Sequence, residues 1–448
     1  MIIEMIVFIY FLYYEYIATV WLIPLLTARY VIYRHILSAI AMIEIKTSAY
    51  RRASFALALG SFIVFCNLYL FQPMLPLMAD KFNASAIQVN WLLAAGTLTL
   101  ALTLVPWAVG SENIGRRKVM MLSLFLLPFV GMAMLLADSL LMLTLARGSM
   151  GISLAGFAAV AVAYMAEEFT PKALMLAVGG YISANSLGGI TGRLYGGFVT
   201  EYWGWEVAVI GMAIFSLLGA LAVNRLLPEQ QYFTPQKGQL RAHNRSVIGH
   251  LRQRELWLTM LIGGLNFALF VNLYTVMGFR LVAPPYSLPI SLASMIFLCY
   301  LSGTITAKLS GRWSQVYSPI SGMVLGTTVS AVGMWIAAYN SLYAMLIGLL
   351  FISSGAFFTH SLAYAWVSQK AKTAKATATA LYLVHYYVGG SVGGFYLIAC
   401  WQYGAWHGVL AGGMVLYGLI YLLCWRLHCR AQSKEDTAAV LKGTHTAV

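Results

Sequence analysis

Polar side chains that could bind a solute recur inside the long apolar runs of this chain. Amide, phenol, imidazole and guanidinium groups in such surroundings cost free energy unless they are paired or hydrated, so a cluster at matched depth predicts a hydrated pathway. Hydrogen bonding between helices, worth about 1 kcal/mol per contact, is the alternative role for any single Asn or Tyr. The candidate substrate-binding residues are Asn67, Tyr69, Gln72, Arg147, Asn185, Arg193, Asn272, Tyr274, His360, His385 and Tyr386.

Two arginines and two histidines in this set are the candidates to carry charge or exchange protons. A guanidinium does not lose its proton, so Arg147 and Arg193 each need a partner or a wet cavity. For Arg147 the alternative is a span-end residue that reaches the interface. His360 and His385 can titrate near neutral pH, and no Asp or Glu lies inside the core runs. We expect His360 to serve in proton coupling or substrate binding, with a structural histidine as the alternative.

The sequence contains no pattern typical of an enzyme active site. Paired carboxylates, a His/Cys metal cluster, a nucleophile elbow and a phosphate-binding loop are all missing from it. We therefore expect no enzymatic activity, no metal and no cofactor. The five cysteines have neither metal-ligand nor disulfide-framework spacing, and we expect them to pack as apolar residues.

The apolar runs predict an all-α membrane protein. The chain is 60% hydrophobic and 9% charged, whereas soluble domains carry about 25% charged residues. A helical crossing satisfies every backbone polar group in hydrocarbon and takes roughly 20 apolar residues. Twelve spans are predicted from Ser54 onward, starting near residues 55, 89, 118, 140, 173, 205, 256, 290, 320, 342, 376 and 405.

Basic residues between the runs predict how the spans are oriented. With the start of the twelve-span core in the cytoplasm, nearly all Lys and Arg of the connections are cytoplasmic, and the opposite side holds only Lys81 and Arg280. Both ends of the core are thus predicted to be cytoplasmic. The net charge of +14 needs no nucleic-acid partner, because the basic residues form no stripe on a soluble domain.

The core divides around a basic central segment. The predicted parts are an N-terminal six-helix bundle (51–227), a cytoplasmic central loop (228–255), a C-terminal six-helix bundle (256–428) and a cytoplasmic tail (429–448). Residues 1–50 form a hydrophobic extension that carries Glu15 within an apolar run. It is either an additional crossing, an accessory segment, or sequence that precedes a true start of translation at Met42.

The two halves match one another at an offset of roughly two hundred residues. Six is an even number of spans, so the halves have the same orientation and form a parallel repeat. A site between the halves, opened to each side in turn by rocking, is expected of such a repeat. The matching segments are 65–69 with 270–274, 96–99 with 303–306, 152–164 with 352–364, and 188–205 with 389–406.

The loop between the second and third spans carries a motif. It reads Ala108-Val-Gly-Ser-Glu112-Asn113-Ile-Gly115-Arg116-Arg117-Lys118, and it resembles the loop motif of the major facilitator superfamily. Ala108 replaces the Gly and Asn113 the Arg of that motif. The resemblance implies that Glu112, Gly115, Arg116 and Arg117 form a cytoplasmic latch that holds the outward-facing state. Anchoring of the topology by the basic residues alone is the alternative.

Three further segments are similar to one branch of this superfamily. They are 69–76 in the first span, 188–197 with Arg193 where the antiporter motif has Pro, and 357–366 in the tenth span. These resemble bacterial inner-membrane efflux proteins of the YnfM type, a branch of the twelve-span drug–proton antiporters. The resemblance covers residues 51–430 and implies the major facilitator fold, with two parallel six-helix bundles, in the cell inner membrane. The extra N-terminal hydrophobic helix, if residues 1–50 form one, lies outside it.

The function implied is secondary active transport. We expect proton-coupled efflux of a small organic solute by alternating access, with facilitative or uptake-directed transport as the alternative and an integral-membrane enzyme as the least favoured class. The expected partners are a small-molecule substrate, protons and membrane lipid, without nucleic acid, and the chain is expected to be a monomer. Arg147 and Arg193 favour an anionic or polar neutral cargo.

Overall fold

The computed structural model is a bundle of long helices. It describes residues 42–234, 240–371 and 375–445, with the side chains of 240–244, 375–376 and 433–445 left out. The predicted hydrophobic extension therefore lies outside the described residues as far as residue 41. Within the described part, β-structure is limited to an isolated bridge between Ile43 and Phe169. The predicted all-α fold is confirmed.

Eleven helices in the described ranges are long and apolar enough to cross a membrane. Spans 1 to 6 are Ser48–Tyr69, Ala86–Ile114, Arg116–Leu136, Leu140–Glu168, Pro171–Trp203 and Trp205–Leu226. Spans 7 to 10 are Arg254–Val282, Ile290–Val316, Pro319–Ile336 and Leu342–Lys370. The last helix, Lys375–His445, has non-helical backbone at Gly404 and Ala405. It therefore supplies two crossings, span 11 before this break and span 12 after it.

The helix starts lie close to the predicted ones, except at span 1. This helix begins at Ser48 rather than near residue 55, because the Thr47 hydroxyl accepts the N–H of Tyr50 at 3.1 Å and caps the first turn. A short helix, Leu75–Lys81, continues the chain beyond span 1. The predicted central loop contains a further helix, Leu240–Arg252.

Glycines let the inner spans of each half approach closely. In the first half, Gly188, Gly192 and Gly196 of span 5 lie against backbone carbonyls of span 1, and an added Cβ at any of them would overlap those carbonyls. In the second half, Gly389 and Gly393 of span 11 lie in the same way against span 7. Small residues allow backbone contact that apolar side chains would prevent. The repeated glycines thus produce equivalent packing in both halves.

The bundle has two chemically different ends. Consecutive spans run in opposite directions, so all odd-numbered spans begin at one end, which carries Arg51, Arg116, Lys172 and Arg254. We call this the basic end and the opposite one the far end. At the basic end, Gly115 adopts a φ of 109° between spans 2 and 3. L residues with a side chain rarely adopt this conformation, so the tight connection requires glycine there.

The chain that follows span 6 is fastened to the basic end of the first half. The Tyr164 hydroxyl donates to the Pro228 carbonyl at 2.9 Å. A Glu168 carboxylate oxygen accepts the backbone N–H groups of Gln231 and Tyr232, both at 3.0 Å. The beginning of the central segment is therefore part of the first half up to residue 232.

We predict that Gly192→Ala destabilises the protein, whereas Gly179→Ala on the same span does not. A Cβ at Gly192 would overlap the backbone of Cys66, but a Cβ at Gly179 meets no atom within 4 Å. Overpacking costs about 1–3 kcal/mol, and Ala in an open helical position is neutral or stabilising. Thermal unfolding in detergent measures both. Equal unfolding midpoints for the two variants would contradict the packing described.

Candidate functional site

Arg193 of span 5 lies at the boundary between the two halves, with 1% of its surface exposed. Its Nε donates to the Gln72 amide oxygen at 2.7 Å, and one terminal nitrogen donates to the Gly189 carbonyl at 2.9 Å. The guanidinium carbon stands 3.7 Å from the ring centre of Tyr69, and 4.8 and 4.9 Å from those of Phe297 and Tyr300. Aromatic faces attract cations, so this guanidinium is held chiefly by neutral groups.

Gln72 connects this guanidinium to the second half. Its amide nitrogen donates to the Thr275 hydroxyl at 2.8 Å and to the Val271 carbonyl at 3.0 Å, both on span 7. The same side chain accepts from Arg193 through its oxygen. The Gln72 amide therefore joins span 5 to span 7, because its oxygen accepts from Arg193 while its nitrogen donates to span 7.

Further contacts join the halves near the far end. Hydroxyl oxygens of Thr97 on span 2 and Ser391 on span 11 lie 2.7 Å apart. The Glu201 carboxylate at the end of span 5 accepts the N–H of Ile290, the first residue of span 8, at 2.8 Å. Trp91 and Phe395 pack with ring centres 4.6 Å apart. Together with the Gln72 junction, these contacts close the far end, and we call them the far-end seam.

A second group of polar rings lies nearer the basic end, in the second half. His360 of span 10 has its Nδ1 2.9 Å from the Tyr382 hydroxyl and its ring centre 4.3 Å from that of Tyr386. The ring of Phe267 stacks on Tyr386 at 3.9 Å. We call His360, Tyr382, Tyr386 and Phe267 the aromatic layer. His360 and Tyr386 are partly exposed, unlike Arg193.

Tyr69 belongs to the first of these groups. One face of its ring covers Arg193, and its ring centre lies 6.3 Å from that of Phe65. Asn185 of span 5 is half-buried, and its side-chain oxygen has no hydrogen-bond partner among the described residues. It precedes Gly188 by three residues as Tyr386 precedes Gly389, so the two occupy equivalent positions of the repeat.

Other predicted site residues bind within their own half. The Asn67 amide donates to the Ser216 hydroxyl of span 6 at 2.8 Å. The Tyr274 hydroxyl lies 2.6 Å from that of Ser353 on span 10. These side chains are buried and connect neighbouring helices, in the way expected of the alternative role of such residues.

Asn272 and His385 also form bonds inside the second half. The Asn272 amide donates to the Gly390 carbonyl of span 11 at 2.8 Å, and its oxygen is buried with no hydrogen-bond partner in the described ranges. His385 has its Nδ1 2.8 Å from the Leu381 carbonyl of its own helix. Both lie beside the site without joining the aromatic layer.

Arg147 differs from Arg193, although it is equally buried. Its three guanidinium nitrogens donate to the backbone carbonyls of Leu92, Asn67 and Leu68 at 2.9, 3.0 and 2.7 Å. This arrangement ties span 4 to spans 1 and 2. The guanidinium is satisfied by carbonyl oxygens inside the first half.

The predicted latch residues lie together at the basic end. Arg116 forms an ion pair with Glu167 at 3.0 Å and has Glu112 at 3.9 Å. Arg117 forms an ion pair with Glu229 at 3.0 Å, and its backbone N–H donates to Gln230. The cluster thus connects the loop between spans 2 and 3 to the ends of spans 4 and 6.

Several residues of the site were not predicted from the sequence. These are Phe267, Thr275, Phe297, Tyr300, Tyr382 and the Thr97–Ser391 pair, together with the latch partners Glu167 and Glu229. One signal was available for part of the set, because Phe267, Phe270 and Tyr274 recur at helical spacing on one face of span 7. The pairing of the other residues is a property of the packed helices.

Comparisons with known proteins agree with this architecture. The family model described as Major Facilitator Superfamily matches residues 57–394. The chain is 32% identical over 377 residues to the uncharacterized MFS-type transporter YybF of Bacillus subtilis, covering 84% of this chain and 93% of YybF. It is 32% identical over 384 residues to the inner membrane transport protein YnfM of Escherichia coli, covering 86% and 92%.

Solved structures share the fold at low sequence identity. A bacterial homologue of the human lysosomal transporter Spinster, in an inward-facing and occupied conformation, superposes with a TM-score of 0.67 at 15% identity, covering 85% of this chain and 96% of that one. The human organic anion transporter MFSD10 gives a TM-score of 0.66 at 17% identity, covering 84% and 99%.

The matched family covers most of the chain, both relatives span nearly their whole length, and the fold neighbours are transporters. The resemblance to the superfamily and to YnfM is therefore confirmed, and so is the expectation of a transporter rather than an enzyme. The chain belongs to the major facilitator superfamily and is a multi-pass membrane protein that transports a solute.

Proposed function

We propose that the protein is a secondary active transporter that exports a small organic solute across the inner membrane in exchange for protons. One observation carries the proposal of alternating access. The far-end seam closes one end of the bundle, whereas the aromatic layer, in which His360 and Tyr386 are partly exposed, lies nearer the basic end. A site that is closed on one side and accessible on the other is one of the two states that alternating access requires.

The orientation of the spans turns this geometry into a transport state. Basic residues favour the cytoplasmic side of a membrane, so the basic end is proposed to face the cytoplasm, with both ends of the twelve-span core on that side. The conformation is then inward-facing, as in the Spinster homologue. The bodies that rock are proposed to be residues 51–227 and 256–428.

The far-end seam is strong enough to close the site and weak enough to open. Its contacts include the Gln72–Thr275 and Thr97–Ser391 hydrogen bonds and the Glu201–Ile290 bond. Hydrogen bonds contribute about 0.5–1.5 kcal/mol each, so the hydrogen bonds of the seam together amount to a few kcal/mol. Moving a two-state equilibrium from 1:99 to 99:1 takes about 5.5 kcal/mol, and substrate binding can supply energy of this size.

The predicted site residues divide into two roles under this proposal. Those that face the boundary between the halves are proposed to contact the substrate: Tyr69, Gln72, Asn185, Arg193, His360 and Tyr386. The others are proposed to position the helices that form the site: Asn67, Arg147, Asn272, Tyr274 and His385. Hydrogen bonds to their own half support this second role.

The latch is proposed to act in the opposite, outward-facing state. In the conformation described here, Arg116 and Arg117 bind Glu167 and Glu229 of the first half. These pairs keep the loop and the start of the central segment moving with the first half. Closure of the basic end would bring this cluster against the second half.

His360 is the proposed site of proton exchange. The interiors of the described spans contain no carboxylate, and His360 is a partly exposed imidazole bonded to Tyr382. Imidazole is the side chain whose ordinary titration falls near neutral pH. The lack of a buried carboxylate also supports a second candidate, facilitated transport without protons, and the second experiment below separates the two.

We predict that a disulfide across the seam stops transport. The hydroxyls of Thr97 and Ser391 lie 2.7 Å apart, so cysteines at both positions are within reach of an S–S bond of about 2.05 Å. Thr97→Cys/Ser391→Cys, made in a background without the native cysteines, should lose solute flux in proteoliposomes on oxidation and regain it on reduction. The two single-cysteine variants are the controls. Undiminished flux through the oxidised double variant would refute alternating access.

We predict that solute uptake into everted membrane vesicles depends on an imposed acidic interior. The lumen of such vesicles corresponds to the outer side, so an exporter accumulates solute as protons leave. A panel of radiolabelled carboxylates, amines, sugars and neutral aromatic solutes identifies a transported compound. His360→Ala should abolish the dependence on the pH gradient, and the exposed His407→Ala should preserve it. Uptake that ignores the gradient in wild type and His360→Ala alike would reject proton exchange and favour the facilitator.

A further inference from the structure

The charge of Arg193 is not balanced inside the protein. Among the described residues, the ion pairs of this chain involve other basic residues, and the hydrogen-bond partners of Arg193 are an amide and a carbonyl. Removing an ion from water costs several kcal/mol. Cation–π contacts return about 0.5–2 kcal/mol each. A buried cation in this situation gains free energy from an anion placed beside it.

The charges of the two other buried arginines of the spans, Arg147 and Arg280, are better satisfied by hydrogen-bond acceptors than that of Arg193. Arg147 donates to three backbone carbonyls. Arg280 donates to the Ala337 carbonyl at 2.7 Å and to the Asn340 side-chain oxygen at 2.8 Å. Only Arg193 of these three is at the boundary between the halves, and its guanidinium is surrounded by three aromatic rings.

The aromatic layer supplies the second half of a binding site. Phe267, Tyr386 and His360 form a continuous row of rings, with centre distances of 3.9 and 4.3 Å. Phe270 connects this row to Arg193, because its ring centre lies 6.4 Å from that of Phe267 and 4.6 Å from that of Tyr300, which in turn lies 4.9 Å from the guanidinium. Ring faces stack on a planar aromatic group with a gain of about 0.5–1.5 kcal/mol beyond the burial of apolar area. The row carries no negative side chain that would attract a cation.

We propose, on the basis of the transport function proposed above, that the substrate is an aromatic organic anion of the carboxylate class. Its ring stacks on the partly exposed rings of Tyr386 and His360, with the buried ring of Phe267 supporting Tyr386 by stacking, and its carboxylate binds the guanidinium of Arg193. A carboxylate matches the planar fork of a guanidinium and accepts two N–H bonds at once. Amines and sugars lack either the charge or the planar face that this site recognises.

Binding of the anion also opens the far-end seam. Gln72 occupies Arg193 Nε with its oxygen while its nitrogen holds Thr275 and Val271. The Gln72 oxygen is a neutral acceptor, whereas a carboxylate brings the opposite charge and can accept two N–H bonds of the guanidinium at once, so it displaces the Gln72 oxygen. The amide then loses its orientation toward span 7, and the junction between the halves breaks. Recognition of the anion is thereby coupled to the change of state.

Binding of three small probes to the purified full-length protein tests the substrate class. Benzoate, benzamide and cyclohexanecarboxylate are titrated by calorimetry in detergent, where membrane leakage of benzoate has no effect. A hydrogen bond to a charged group is worth about 1.5–3 kcal/mol, so benzoate should bind wild type at least about tenfold more tightly than benzamide. The stacking term should make benzoate several-fold tighter than cyclohexanecarboxylate.

Two variants assign these preferences to residues. Arg193→Gln should bring benzoate and benzamide to equal affinity, and Tyr386→Leu should bring benzoate and cyclohexanecarboxylate to equal affinity. Arg280→Gln and Tyr343→Leu, a tyrosine of span 10 that is 81% exposed, are the matched controls, and they should keep both wild-type ratios. Arg193→Lys retains the charge without the fork, and it should keep a reduced preference for benzoate. This variant tests the proposal if Arg193→Gln does not fold.

Equal binding of benzoate and benzamide to folded wild type, or a ratio unchanged in both Arg193 variants, would overturn the proposal. So would the absence of benzoate binding to folded wild type. Such results leave the transport function standing if the Thr97–Ser391 disulfide still blocks flux of another solute. Flux that ignores this disulfide refutes the transport mechanism even if benzoate binds, so the two failures are distinguishable.

Discussion

A fully buried guanidinium without a carboxylate partner among the described residues is the constraint around which the centre of this molecule is arranged. Arg193 is held by the Gln72 amide, the Gly189 carbonyl and three aromatic faces. Each of these groups is neutral, so each is weaker than an ion pair. The side chains that hold the charge come from both halves of the protein. A change in the groups that surround the Arg193 guanidinium therefore affects whether the two halves stay together.

Because the helices within each half are packed backbone against backbone, a change around Arg193 moves each half as a unit. Glycines of span 5 lie on the carbonyls of span 1, and glycines of span 11 lie on span 7. Packed interiors have few voids and transmit displacement rather than absorb it. The far-end seam, by comparison, consists of side-chain hydrogen bonds and one aromatic contact between the halves. The boundary between the halves is thus better suited to separate than either half is to deform.

The basic end shows how the first half is kept intact. Arg116 and Arg117 connect one loop to the ends of spans 4 and 6, and Glu168 fixes the start of the central segment to the same surface. Ion pairs on a protein surface contribute little to stability individually, and the arginines of this cluster are partly buried. In this cluster they are joined by hydrogen bonds to the backbone, which orient them. Their arrangement supports a role in the geometry of the half rather than in its overall stability.

The sequence by itself determined the number of spans, where they start except at span 1, the parallel repeat and the family. These depend on hydrophobic content, helix length and charge, which are local properties of the chain. The sequence could also name the polar residues inside the spans, but it could not assign their roles. Asn67 and Tyr69 are two residues apart on span 1, yet one binds span 6 and the other covers Arg193. Only the tertiary structure separated them, because the rotation of each helix is set by its packing against neighbours. The same holds for Arg147 and Arg193, which are alike in sequence and burial but differ in the groups that surround them.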